Sequence, residues 1–353
     1  FLKSQLKKFM KIASFFSGAG GLDLGFKKAG FDIVYANEYD KTIWETFRKN
    51  FPKTRLETRS ITKINPTEIP HDIDGIIGGP PCQSWSAAGS MGGIDDPRGK
   101  LFFNFIRILS HVKPKFFLCE NVPGMLAPRN QKAIENIIVL FKESGYEVKH
   151  YLLNASDYEV PQDRKRVIFV GYRNDLNLDF TPPKPITPFN VDKITLHDAI
   201  DYLKDNAIPA LTKNYTNGEN CKIDNHEYMV GGFSSIYLSR NRVRGWNEQS
   251  FTIQAGGRHA PFHPQAPKMI KVVKNKAIVK DTMKYGGDRK DRKLYRRLSI
   301  RECAEIQTFP PDFRFYYNAV ANGYKMIGNA VPVKLAYYLA MKIKEDLLKN
   351  IKK

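Results

Sequence analysis

Short apolar runs recur along the first half of the chain, each followed by a turn and then by helical periodicity. Lys11 to Phe16 reads as a buried strand. Ser17-Gly18-Ala19-Gly20-Gly21-Leu22-Asp23-Leu24-Gly25-Phe26 reads as a glycine-rich turn opening a helix. Glycine there permits tight turning and close approach of backbone to a ligand. Ile33 to Asn37 is a second strand with Glu38 at its end, and Asp40 to Asn50 a helix. Asp74 to Ile77 is a strand that runs into Gly78-Gly79-Pro80-Pro81-Cys82-Gln83-Ser84-Trp85-Ser86. Leu101 to Leu109 has an amphipathic helical pattern. Lys115 to Cys119 is a further strand and delivers Glu120-Asn121-Val122 at its end. Gln131 to Ser144 reads as a helix, Glu147 to Leu153 and Val167 to Tyr172 as strands. This alternation predicts the α/β class, with a doubly wound, mostly parallel sheet.

The alternation stops after Phe180. Thr181-Pro182-Pro183-Lys184-Pro185 has the composition of a linker, and residues 186–290 are rich in Gly, Asn, Pro and Ser. Leu298 to Ile306 returns to helical periodicity. Val333 to Leu348 reads as a long amphipathic helix that should pack back on the first domain. The expected organisation is a first domain over 10–181, a second, smaller and irregular domain over 182–295, a connecting segment over 296–322 and a returning segment over 323–353. Residues 1–9, basic and patternless before Met10, are set aside as an extension.

Composition adds one strong constraint. The chain has 353 residues, enough for two domains, and a formal net charge of +20. That excess favours a polyanionic partner, nucleic acid or an acidic membrane surface. Between Lys268 and Arg301 there are thirteen Lys or Arg against three acids, half of the whole excess. With Arg240, Arg242, Arg244 and Arg258 interleaved with Trp246, Phe251 and Phe262, this points to a docking surface for nucleic acid. No apolar run reaches the ~18 residues needed to span a bilayer, and no secretory leader pattern is present, so no membrane partner is expected. Cys82, Cys119, Cys221 and Cys303 lie far apart, so neither a disulfide framework nor a zinc site is expected; no metal is implied, and a reducing cytoplasm fits best.

Two features carry chemistry. Gly18-x-Gly20-x-x-Asp23 lacks the third glycine of a dinucleotide fingerprint, and no phosphate-binding lysine accompanies it. Together with Glu38, which would hold ribose hydroxyls, it suits a nucleoside cofactor without a pyrophosphate, such as S-adenosylmethionine. Cys82 stands just past a strand end, after two prolines that stiffen its approach. It is either a small buried hydrophobe or a nucleophile. A thiolate added to C6 of cytosine makes C5 nucleophilic, which splits one difficult step into two easier ones. A carboxylic acid such as Glu120 would then relieve the charge at N3. Arginines near the ring would hold the base carbonyl and keep the cysteine as thiolate. Such an atom is hidden inside a duplex, so the base must be flipped out.

These residues, in this order, resemble the C5-cytosine DNA methyltransferases of restriction–modification systems. The resemblance is carried by Phe16-Ser17-Gly18-Ala19-Gly20-Gly21, Glu38, Pro80-Pro81-Cys82-Gln83, Glu120-Asn121-Val122, Gln162-x-Arg164-x-Arg166, Arg297-Leu298-x-x-Arg301-Glu302-Cys303-Ala304 and Gly328-Asn329-Ala330-Val331. It implies a Rossmann-like methyltransferase domain, S-adenosylmethionine as cofactor, double-stranded DNA as substrate, a monomer, and functional pairing with a cognate endonuclease. It makes Cys82 the nucleophile and Glu120 the acid at N3, with Arg164 and Arg166 contacting the target base and its loop. Phe16, Gly18, Gly20, Gly21, Glu38, Tyr39, Ser60, Ile61, Pro81, Leu101, Asn329 and Ala330 would line the cofactor. Residues 83–100, with Gln83, Ser86 and Arg98, would form a mobile lid over the DNA, and residues 182–295 the target-recognition domain with Arg240, Arg242, Arg244 and Arg258. The second lobe is also similar to that of HaeIII-type methyltransferases, which act on GGCC. That likeness rests on Ile208-Pro209-Ala210-Leu211, Asn225-His226-Glu227-Tyr228, Ser239-Arg240-Asn241-Arg242-Val243-Arg244 and His263-Pro264-Gln265-Ala266-Pro267; Arg258-His259-Ala260-Pro261-Phe262 departs from it. One further departure is Arg59-Ser60-Ile61, where the family usually has Gly-Asp-Ile and the Asp takes the adenine amino group. A Rossmann oxidoreductase is disfavoured by the missing third glycine. A non-catalytic DNA-binding relative is disfavoured by the intact Cys82, Glu120 and Arg164. An RNA cytosine methyltransferase is disfavoured by the large second lobe.

Overall fold

Phe15 at the end of one strand and Gly78 at the end of another pass so closely that a side chain at Gly78 would lie 2.6 Å from the Phe15 carbonyl oxygen. These two strands form the centre of the fold. The structure is a computed structural model and describes residues 10–81, 99–233, 240–273, 276–278 and 294–351. Two units are distinguished: 1–154 with 165–184 and 333–353, and 155–164 with 185–332.

The first unit holds a seven-stranded sheet. In chain order its strands are β1 (Met10–Phe15), β2 (Phe31–Asn37), β3 (Arg55–Glu57), β4 (Gly75–Gly78), β5 (Phe116–Asn121), β6 (Tyr146–Asn154) and β7 (Lys165–Arg173). In space the order is β3-β2-β1-β4-β5-β7-β6. The chain runs outward from β1 to β3, then returns to the other side of β1 at β4. The topological switch point therefore lies between β1 and β4, where open α/β sheets bind their ligands. Pairings among β1 to β5 are parallel, but β7 runs antiparallel to both β5 and β6. Strand periodicity correctly finds β7 but is silent on its direction. The ten residues between β6 and β7 carry only a short 3₁₀ turn, Ala155–Tyr158, too little for the crossover a parallel neighbour requires.

Helices α1 (Gly21–Lys28), α2 (Trp44–Asn50), α3 (Gly99–Val112) and α4 (Gln131–Glu143) follow their strands. Phe102, Phe105, Ile106 and Leu109 of α3 recur at helical spacing and are all buried, joining Phe117 and Phe141 in one core. Phe117 and Phe141 stack with centroids 4.2 Å apart.

The second unit is irregular. It contains α5 (Leu196–Ile200), α6 (Ile300–Ile306), α7 (Val320–Asn329) and two-stranded pairings, the parallel Ile208–Pro209 with Glu227–Tyr228 and the antiparallel Ile270–Val273 with Lys276–Ile278. Ser299 caps α6 in a reciprocal box with Glu302. Glu302 is fully buried and takes both Arg296 Nη groups at 2.7 Å, so the guanidinium holds its carboxyl well below the usual range despite burial. The final helix α8 (Val333–Ile351) lies on α1 in the first unit. A side chain at Gly25 would meet Ala336 Cβ at 2.4 Å, and the Tyr172 hydroxyl donates to Asp346 at 2.9 Å. The last stretch of the first unit begins at Val333; Arg164 and Gln307 donate to carbonyls of α7 and its C-terminal flank, and Tyr324 of α7 donates to the Leu298 carbonyl, all within the second unit. No helix among the described residues is long and apolar enough to cross a membrane.

Candidate active site

The turn after β1 places Phe16 and Gly18 in the left-handed region, both with φ of 55°, and Gly20 with φ of 90°. Such values favour glycine, and at Gly18 an added side chain would meet nothing within 4 Å. The turn is tied to the end of β2. Gly18 N donates to Glu38 Oε2 at 2.9 Å, and Asp40 N donates to Oε1 at 2.7 Å. Tyr39 beside it is 73% exposed. Open space over a glycine turn, a carboxylate at its rim and a free aromatic face suit an adenosine moiety, whose hydroxyls donate and whose base stacks. Asn37 Nδ2 donates to the carbonyls of Glu57 and Arg59 at 3.0 and 2.8 Å and so fixes the approach to Ser60. Ser60 caps the 3₁₀ turn Ile61–Lys63, and Ile61 is buried. Phe16 and Leu101 are half-buried against the α3 core.

Asp23, in the first turn of α1, was not singled out by sequence. It is fully buried, and neither of its oxygens has a hydrogen-bond partner among the described residues. Burial pushes its carboxyl up to about 7, with Glu38 adding to the rise and the Ser14 hydroxyl opposing it. The folded state therefore binds this proton more tightly than the unfolded chain. The resulting stability is complete below about pH 4 and is lost as pH rises to about 7. Asp23→Asn should remove that slope and stabilise the protein at pH 8 by on the order of 2–4 kcal/mol, read by denaturant titration at pH 5 and 8. Parallel pH profiles for both proteins would contradict it.

On the other side of β1, β4 and β5 pair in parallel with Gly78 opposite Cys119. Asn121 Nδ2 donates to the Pro80 carbonyl at 2.9 Å, holding the segment that leads away from β4. A side chain at Gly79 would lie 3.4 Å from Glu120 Oε2. Glu120 stands opposite Ile168 in the ladder, and the antiparallel course of β7 brings Arg166 alongside it. Arg166 Nε meets Glu120 Oε1 at 2.6 Å, with the side chains 10% and 12% exposed. Burial draws the Arg166 guanidinium below its usual range, and Glu120 opposes that. Pro81 is half-buried. Cys82, Gln83, Ser86, Arg98 and most of the expected lid lie outside the described residues. The other three cysteines are poor nucleophiles. Burial pushes the thiols of Cys119 and Cys303 well above their usual range and that of Cys221 up to about 11. No group of His, Cys, Asp or Glu among the described residues could hold a metal.

Three expected contact residues are buried or engaged with other groups of the protein. Arg164 is 1% exposed, and its guanidinium donates to the carbonyls of Ile253, Gly328 and Ala330 at 3.0, 2.8 and 2.9 Å. It braces backbone within the second unit. Arg242 is 8% exposed. Arg244 pairs with Asp163 and Glu248, each at 3.3 Å, and lies over the Phe251 ring. Arg240 and Arg258 are exposed. Asn329 is exposed at the end of α7 and Ala330 is buried, both within the second unit. In the basic run, Arg297 and Arg301 are buried, and the part-buried Arg296 pairs with Glu302. The amide Gln162 was quoted only as part of a motif. Its Nε2 donates to Gln307 Oε1 at 3.1 Å and its oxygen accepts from Ile253 N at 2.9 Å.

A glycine turn at the switch point of a largely parallel sheet, tied to a carboxylate at the end of the next strand, marks an enzyme of the Rossmann-like class that takes a nucleoside cofactor. The family model for C-5 cytosine-specific DNA methylases matches residues 10–345. The chain is 56% identical to the Type II methyltransferase M.FnuDI of Fusobacterium nucleatum, over 96% of this chain and 95% of that one. It is 58% identical to M.MthTI of Methanothermobacter thermautotrophicus, over 96% and 98%. A crystal structure of a putative DNA modification methyltransferase encoded within an E. coli prophage has a TM-score of 0.70 at 24% identity, covering 96% of this chain and 99% of that one, and shows the same fold. The protein belongs to the C-5 cytosine-specific DNA methylase family. It is a DNA (cytosine-5-)-methyltransferase, and its cofactor is S-adenosylmethionine.

Ser60 now has a specific test. An Asp caps a helical turn as well as a Ser does, so Ser60→Asp should leave the melting temperature unchanged. It should tighten S-adenosylmethionine by ~0.5–1.5 kcal/mol, the worth of one hydrogen bond. Equal dissociation constants by calorimetry would sink the idea.

Proposed function

We propose that the enzyme methylates a cytosine flipped out of double-stranded DNA at a fixed short sequence, as the modification half of a restriction–modification pair, and that the sequence is GGCC. The observation that carries the chemistry is the Glu120–Arg166 pair at the strand end beside the Pro80 segment. Cys82 follows Pro81 directly in sequence. In this reading its thiolate adds to C6 of the base, and the ring's electron density shifts toward C5 and N3. Glu120, aimed by Arg166, holds the proton at N3. S-adenosylmethionine, when bound, supplies an electrophilic methyl group on sulfonium. Once the methyl group is on C5 and the sulfonium has left as a neutral thioether, the C5 proton passes to water, Cys82 leaves as thiolate and Glu120 takes back the N3 proton, so the aromatic ring and the enzyme are restored.

The restriction–modification role is supported by relatives named as Type II methyltransferases. The GGCC site is supported by the likeness of the second lobe to HaeIII-type enzymes. Of the four arginines expected at the DNA, Arg240 and Arg258 are exposed and so available to read guanine edges. The test is labelled methyl transfer to a duplex library containing every tetranucleotide, with 5-methylcytosine located by sequencing. Methylation centred on GGCC is expected. Label at another sequence would discard the site, and label on transfer RNA but not on duplex would discard the DNA reading.

A further inference from the structure

Arg297 opens the Arg297-Leu298-x-x-Arg301-Glu302 motif, to which the reaction above assigns no part. Its side chain is 4% exposed. Nε donates to the Gly257 carbonyl at 2.9 Å. Nη1 donates to the carbonyls of Met229 and Gly231 at 3.0 and 2.9 Å, and Nη2 to that of Gly232 at 2.8 Å. The guanidinium also lies 3.7 Å from the centroid of the Phe233 ring, and Phe233 packs on Phe262 at 4.4 Å. These four acceptors are backbone carbonyls, so the fork reads the course of two loops rather than the charge of one partner. One loop is 229–233 and the other 257–259.

Tyr324 adds a second tie to the first loop and lies against the second. The Tyr324 hydroxyl accepts from Met229 N at 3.3 Å and donates to the Leu298 carbonyl at 2.6 Å. A side chain at Gly257 would lie 2.5 Å from Met229 Sδ and 2.8 Å from Tyr324 Cδ2, so the two loops approach closely there. The residue after Gly257 is the exposed Arg258. A planar guanidinium can satisfy several carbonyls in one plane and stack on a ring at the same time; an ammonium cannot.

We infer that Arg297 is a specificity-positioning residue. It locks the backbone of 229–233 against that of 257–259 so that Arg258 meets the DNA in one register. This rests on the proposal that the second unit reads duplex sequence. Base readout needs placement to a fraction of an ångström, because bidentate hydrogen bonds to a base edge tolerate little displacement. Arg297 touches no base in this scheme and acts through the loop it holds.

The test uses Arg297→Lys in the full chain on the same duplex library. The readout is the methylation rate at the preferred site divided by the rate at sites differing by one base pair. The active fraction cancels in that ratio, so a merely loosened fold leaves it unmoved. The ratio should fall about tenfold, the scale of one base contact, while S-adenosylmethionine affinity by calorimetry is unchanged. Phe233→Leu keeps the four hydrogen bonds and removes the stacked ring; it should shift the ratio the same way by less, and it serves if Arg297→Lys folds poorly. An unchanged ratio in the folded variants overturns the inference. Arg258→Ala separates the two levels. If it lowers the ratio and the Arg297 and Phe233 variants do not, the positioning role alone fails. If it leaves the ratio unchanged, the reading of 257–259 as a DNA contact fails, and the positioning role with it.

Discussion

A Cys82→Ser enzyme should transfer methyl groups to duplex DNA at least about 10³-fold more slowly than the parent, the scale seen when a covalent nucleophile is removed. A serine hydroxyl has nearly the same size as a thiol but is far from ionised at neutral pH, so addition to C6 is lost while binding is retained. Duplex affinity and the S-adenosylmethionine dissociation constant should therefore stay unchanged. The three cysteines among the described residues give no substitute, since burial holds each thiol protonated. An undiminished transfer rate in Cys82→Ser would remove the covalent route altogether.

Removing Arg166 should have the second largest effect, and it should strike stability and rate together. Its Nε sits 2.6 Å from Glu120 Oε1 with both side chains nearly buried. Arg166→Ala leaves a buried carboxylate without its guanidinium, which costs about 3–5 kcal/mol. It also frees Glu120 from the orientation that would aim it at N3, which should lower kcat by about 10²-fold. The two effects separate in a double-mutant cycle. Adding Glu120→Gln to Arg166→Ala removes the stranded charge, so stability should recover by more than 1 kcal/mol beyond additivity, on the order expected for residues in contact. Activity should not recover, because an amide holds no acidic proton for N3. A stable, fully active Arg166→Ala enzyme would show that the pair is neither structural nor catalytic.

Much of the first unit was legible in sequence. The apolar runs of β1, β2, β4 and β5 alternate with helical patterns, and strand ends followed by Gly18, Glu38, Pro80 and Glu120 mark one edge of a sheet before any coordinates exist. Local patterning shows these features because burial periodicity and turn chemistry are properties of a few adjacent residues. In sequence Asp23 figures only as the residue at the missing third glycine, for a related reason. An acid in the first turn of a helix reads as a favourable charge near the macrodipole, and only the packing around α1 shows that it is fully buried.

The arginines show the opposite limit. Arg240, Arg242, Arg244 and Arg258 are alike in sequence, and all were expected at the DNA. In the structure Arg242 is buried, Arg244 is held by Asp163, Glu248 and Phe251, and Arg240 and Arg258 are exposed. Arg164 likewise braces three carbonyls more than eighty residues away in sequence. Charge patterning counts donors but does not say which acceptors the fold brings to them.

By itself, then, the sequence determined the α/β class, the glycine turn with its partner Glu38, the order of the motifs and hence the family and its cofactor. Each of these depends on residue type and short spacing. Tertiary structure alone decided that β7 runs antiparallel and so sets Arg166 against Glu120, that the return to the first unit starts at Val333, and which arginines remain available to a ligand. Strand direction, the site of chain return and the partner of a long side chain are all set by contacts distant in sequence, and periodicity carries no record of them.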